Sequence, residues 1–170
     1  MALRDARAGT RGRFVGVVET TGRTLTAPLT RRECIAWVGV AVPVDQFKRL
    51  SRRTAEDVVE FMLVDGSERA LVRVDRTTLA LAHEPFAVDR RSPMPIAVRR
   101  FIDARELATT SPIALSEGVI GAGDRVAVIG TLRERSGATT SGDYRSPARA
   151  GTRELEILAE RVSNRPNLLE

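Results

Sequence analysis

Cysteine, histidine, lysine, tryptophan and tyrosine each occur once in this chain of 170 residues, as Cys34, His83, Lys48, Trp37 and Tyr144. Each scarcity excludes something. One cysteine forms no intramolecular disulfide, and one cysteine with one histidine does not build a zinc site, which takes about four ligands. No metal and no cofactor is expected. A Ser–His–acid arrangement has only His83 to draw on, and no Gly-x-Ser-x-Gly elbow is present. His83 reads as an ordinary residue at a strand end. Cys34 reads as a small apolar residue inside a buried strand. There is no phosphate-binding loop of the Walker type. Gly121-Ala122-Gly123 precedes a strand instead of joining a strand to a helix, so it is read as a turn. Glu56, Asp57, Glu154 and Glu156 are paired by spacing but are read as solvated carboxylates, and no EF-hand spacing occurs. No catalytic residue is expected, and therefore no enzyme.

Long apolar runs are also missing. The longest nearly apolar stretch, 34–44, has 11 residues, and a membrane-spanning helix needs roughly 20. The first residues, MALRDARAGTRGR, lack the apolar stretch of a signal peptide. A soluble, cytoplasmic chain is the expectation, with attachment at the periphery of a membrane as a variant of it.

What the sequence does have is arginine. The net charge is +5, and residues 1–53 alone carry ten Arg and one Lys against four acids, a local +7. Such a segment meets phosphates or anionic lipid. The candidate anion and nucleic-acid contacts are Arg31, Arg32, Arg49, Arg52 and Arg53. The competing reading is compositional: arginine codons are rich in G and C, and solvated surface charge requires no ligand.

Residues 1–12 read as a flexible basic tail and 13–170 as one domain, a size that buries roughly 70% of the unfolded chain's surface. The Val-rich segment 13–19 is a strand. In 34–44, Ile35 and Trp37 alternate with Cys34, Val38 and Val40, the pattern of a strand buried on both sides, so Trp37 and Cys34 are assigned to the core. The polar segment 46–57 is a surface loop. Segments 58–64 and 70–75 flank Asp65-Gly66-Ser67-Glu68 and make a β-hairpin. Three prolines make 85–97 a loop. Segment 96–107 is a helix with Val98, Phe101, Ile102 and Arg105 on one face. Segment 125–134 is a strand whose Gly130 marks a bulge or sharp bend. After a Gly/Ser/Thr-rich stretch at 136–152, Leu155, Ile157 and Ala159 alternate in a last strand. The fold class is mainly β: a small closed or partly open β-barrel with one short helix.

Four motifs in order resemble one family. Ala27-Pro28-Leu29-Thr30 followed by Glu33-Cys34-Ile35-Ala36-Trp37-Val38 is similar to a Pro-Leu-Ser-Gly stretch with its following Cys-Val. Phe61-Met62-Leu63-Val64-Asp65-Gly66 with Ala70-Leu71-Val72 resembles a second motif, a hairpin. Glu117 with Gly123-Asp124-Arg125-Val126 through Gly130 resembles a third, and Leu155-Glu156-Ile157 through Leu169 a closing strand. Together they resemble the GIDE-type, or "beside a membrane" (BAM), domain of the MULAN family of mitochondrial ubiquitin ligases and its prokaryotic relatives. The resemblance covers about residues 13–169. It implies a β-rich recognition or scaffolding module with no catalytic residues. It stops short of the family's RING finger, which one Cys and one His cannot build, and of its flanking transmembrane helices, so ligase activity is not implied. The expected function is a non-enzymatic interaction module with a protein partner. Nucleic acid is the second candidate partner and an anionic membrane surface the third.

Overall fold

The computed structural model describes residues 1–44, 52–88, 93–104, 112–134 and 154–165. Its elements in chain order are β1 (Arg11–Thr20), β2 (Leu25–Thr26), β3 (Glu33–Cys34), β4 (Ala36–Pro43), β5 (Arg53–Val58), β6 (Phe61–Asp65), β7 (Glu68–Arg73), β8 (Thr78–Leu79), β9 (Glu84–Phe86), α1 (Ile96–Asp103), β10 (Ile113–Ile120), β11 (Arg125–Glu134) and β12 (Leu155–Ser163). The protein is mainly β, with one short α-helix among the described residues.

Five strands close a barrel in the order β1–β6–β7–β12–β11 and back to β1. Every pair is antiparallel except β7 with β12. This is the connectivity of a five-stranded Greek-key barrel of the OB type. Closure removes the exposed edges that an open sheet carries. The alternation of β1 turns Phe14 and Val18 inward, and β6, β7 and β12 add Phe61, Leu63, Val72 and Ile157, all at most 1% exposed. The barrel is therefore filled by its own side chains, each large one contributing about 1.5–3 kcal/mol on burial. At Gly130 the β11–β12 register shifts, leaving Glu160 as the extra residue of a bulge, as a glycine inside that strand suggests.

The second layer comes from two insertions. β2–β5 lie between β1 and β6, and β8–β10 with α1 lie between β7 and β11. Of these, β4, β5, β9 and β10 form a four-stranded sheet ordered β5–β4–β10–β9, β2 pairs with β3, and β8 extends the barrel sheet beside β12. One face of β4 (Ala36, Val38 and Val40) packs on the barrel core. The other face, with Trp37 and Ala41, packs under α1 through Val98, Phe101 and Ile102. Gly39 is the contact point: a Cβ there would lie 2.6 Å from the Phe101 ring. The apolar stripe of the helix thus covers the sheet as its spacing requires.

Several expectations are corrected. Residues 1–12 are not a loose tail. Leu3 and Ala6 are buried with the barrel core, the Leu3 amide donates to Asp65 Oδ2 at 3.0 Å, the Gly9 amide donates to the Leu132 carbonyl, and the Leu132 amide donates to the Thr10 carbonyl. Residues 53–57, read as loop, belong to β5. Its charged, exposed side chains are those of an edge strand, where charge discourages pairing with a second chain. β9 lies inside the stretch read as a proline loop. β10 had no counterpart in the sequence reading. Ile35 and Trp37 do not share a face: a bend at Ile35 between β3 and β4 sends Ile35 to the barrel and Trp37 to the helix. The α1 residues Val98, Phe101 and Ile102 are buried as expected, while Arg105 and the stretch 136–152 lie outside the described residues.

Candidate functional site

The loop between β2 and β3, residues 27–32, is held in a fixed geometry by its own hydrogen bonds. Ala27 and Arg32 bond across it (Ala27 N to Arg32 O, 2.9 Å), and the Arg31 amide donates to the Ala27 carbonyl at 3.1 Å. Arg31 has φ 61°, a left-handed conformation that non-glycine residues rarely adopt. A buried acid holds the loop there. Glu117 on β10 is 4% exposed. It accepts the Leu29 amide at 2.8 Å and the Thr30 amide at 3.0 Å, and the Thr30 hydroxyl also donates to it. Amide bonds to a carboxylate are of the charge-assisted kind. Leu29, 3% exposed, packs beneath α1. The loop is thereby locked against the helix.

Between this loop, Trp37 and α1 lies an open groove of about 530 Å³, within the size range of ligand sites. The loop side gives Thr26, Pro28 and Arg31, the sheet gives Trp37, and the helix gives Ile96, Ala97, Arg100 and Phe101. Trp37 is half-buried and lines the groove. Ile96 is 71% exposed, the most of any large apolar side chain among the described residues. Neither Arg31 nor Arg100 has an ion-pair partner among the described residues, whereas Arg4, Arg11, Arg69 and Arg73 do. The first turn of α1 adds to the positive character. Pro95 stands at its N-cap, no side chain caps it and no acid lies in it, so its amides keep their partial positive charge. The nearest acid in register is Asp57, opposite Trp37 on β5 and exposed.

The five arginines singled out from sequence do not form one patch. Arg31 lines the groove. Arg32 lines a separate cleft of about 120 Å³ with Glu84, Glu117 and Asn164. Arg53 is exposed on β5, the edge strand. Arg52 lies near His83, and Arg49 is outside the described residues. Arg100 and Trp37, which complete the groove, were not among the candidates. Trp37 is not core in the strict sense but a half-exposed wall. The sequence signal for Arg100 was its place one turn after an apolar first residue of the helix.

Cys34 is 1% exposed, and its thiol points at the Leu25 carbonyl, 3.7 Å away. Burial, with the Glu117 charge adding to it, pushes its pKa from an ordinary 9.0 up to about 11. The thiolate is thus scarce at neutral pH. The unfolded thiol loses its proton first as pH rises, so the stabilisation is complete below pH 9 and declines toward pH 11. The expected result is a denaturation midpoint that falls over this window in the parent chain and falls less in Cys34→Ala. Equal slopes would remove Cys34 as the cause. His83 is half-buried instead of lying on the surface. Burial, and then the charges of Arg52 and Arg165, push its pKa down, and its Nδ1 is buried with no hydrogen-bond partner among the described residues.

Fold and site together define a class: a closed five-stranded barrel carrying an inserted sheet-and-helix layer with an open, cationic groove. No protein-family model, curated protein or solved structure matches the chain. No helix among the described residues is long and apolar enough to cross a membrane.

Proposed function

We propose that this chain is a non-enzymatic interaction module and that the groove between the 27–32 loop, Trp37 and α1 is the surface through which it holds a protein partner. One observation carries the reading. A half-exposed tryptophan, an isoleucine left 71% exposed and two arginines without an ion-pair partner among the described residues line one groove. Tryptophan and arginine are the residues that dominate binding energy at protein interfaces. The similarity of the four motifs to the GIDE-type domain supports the same reading. Glu117 and the Leu29-Thr30 pair, from two of those motifs, are joined by hydrogen bonds that shape the groove wall. Cys34 and His83 are not among the residues that line the groove.

Nucleic acid is the weaker reading. Strands β6 and β7, the usual contact face of an OB-type barrel, present Arg69 and Arg73 outward, and these are tied to Glu19 and Glu60. Single-stranded binders stack successive bases on exposed aromatics, and Phe14 and Phe61 lie fully inside the barrel. An anionic membrane surface has only the dispersed arginines in its favour.

Ile96→Asp tests the proposal. A partner retained by the parent chain after nuclease treatment is expected to be lost by Ile96→Asp and kept by Val44→Asp, which changes an apolar side chain 50% exposed at the end of β4. Equal retention by both variants would place the interface elsewhere.

A further inference from the structure

We infer that the groove takes an extended, largely apolar peptide segment bearing a carboxylate, and that Arg31 and Arg100 together hold that carboxylate. The inference rests on the groove being the working surface, and it adds the chemistry of the occupant.

Among the arginines of the described residues, Arg4, Arg11, Arg69 and Arg73 pair with acids of this chain, and most of the others, Arg31 and Arg100 included, do not. Arg31 and Arg100 face the groove without an acid partner among the described residues. They approach from opposite walls, one from the loop and one from the helix. Guanidinium groups meet carboxylates through paired N–H···O bonds, which give orientation as well as energy. The Arg31 side chain is not there by accident of a flexible loop. Its backbone is held at φ 61° while Glu117 grips the two preceding residues.

Apart from Thr26 and the two arginines, the lining residues are apolar. Pro28, Trp37, Ile96 and Phe101 make most of the wall. A free inorganic anion would leave that surface wet and unused. A peptide with one acidic side chain among apolar ones matches both parts. The volume of about 530 Å³ accommodates a few residues and not a folded domain.

A nucleic-acid strand fits less well. It brings a charge with every nucleotide and needs a row of cations. Here two arginines line the groove, not a row of cations.

The test uses the full chain and its single tryptophan. A display library of random short peptides is selected against the parent chain at low salt. Selected peptides are then titrated while Trp37 emission is followed, with Arg31→Gln/Arg100→Gln as the comparison. Both arginines are exposed, so the double variant is expected to retain the fold. The expected result is enrichment of Asp or Glu among apolar residues, a saturable change in Trp37 emission, and at least about tenfold weaker binding by the double variant, the loss that charge-assisted hydrogen bonds predict. Neutral or basic peptides that change Trp37 emission equally in both proteins would overturn the carboxylate and leave the groove as the interface. Failure of every selected peptide to change Trp37 emission would overturn both. Tighter binding of a thymidine oligonucleotide at Trp37 than of any selected peptide would assign the groove to nucleic acid.

Discussion

Glu117→Ala is expected to lower the stability of the chain by about 3 kcal/mol or more, and to abolish ligand binding in the groove at the same time. The carboxylate is 4% exposed and accepts two backbone amides and one hydroxyl. Removing it leaves those donors without an acceptor, and an unsatisfied buried donor costs about 1–3 kcal/mol. The loss is not local to β10. The same bonds fix the loop that positions Arg31 and that packs Leu29 under α1. Glu117→Gln retains one acceptor oxygen and is expected to fall between the two. Equilibrium denaturation of the three proteins decides the point. A loss under about 1 kcal/mol for the alanine variant would mean that water replaces the carboxylate and that the loop is held by packing alone.

Gly130→Val is expected to prevent closure of the barrel. A Cβ at Gly130 would overlap the Leu158 carbonyl oxygen, and it would lie 2.9 Å from Ile157 Cγ2 and 3.0 Å from the Ala159 backbone. These atoms belong to β12, which closes the barrel onto β11. Two of the three contacts are backbone atoms, so no side-chain rotation relieves the overlap. Overpacking of this kind costs about 1–3 kcal/mol where side chains can yield, and more is expected here. Gly121→Ala is the matched control, because its Cβ would meet nothing closer than Asp124 at 3.9 Å. Near-ultraviolet circular dichroism of Trp37 and the denaturation midpoint report the outcome. A Gly130→Val chain as stable as the parent would show that the bulge can move along the strand.

The barrel was legible where its strands alternate. Phe14 and Val18, Leu63, Ala70 and Val72, Val126 and Val128, and Leu155, Ile157 and Ala159 repeat with the period of two that a half-buried strand imposes. The bulge was legible because Gly130 interrupts an otherwise β-branched run. β5 was not, since an edge strand in a two-layer insertion keeps polar side chains on much of its surface, and Arg53, Glu56 and Asp57 resemble a loop. β10 was not, because Ser116, Glu117 and Gly118 break its apolar pattern. Only the distant amides of Leu29 and Thr30 make a buried glutamate tolerable there, and a long-range partner leaves no local signal. The groove was half legible. Arg31 was named for its charge. Arg100 was passed over because the helix was read for its buried face alone. Trp37 was assigned to the core because the bend at Ile35, which turns the tryptophan toward α1, has no local signature in the sequence.

The groove account comes down to whether Trp37 is reachable from solvent and lies in a positive field. Because the chain has a single tryptophan, collisional quenching of its emission by iodide and by caesium measures both. The account predicts that iodide quenches Trp37 more strongly than caesium, and that Arg31→Gln/Arg100→Gln removes most of the difference. Equal quenching by the two ions in the parent chain, or a preference unchanged in the double variant, would contradict it.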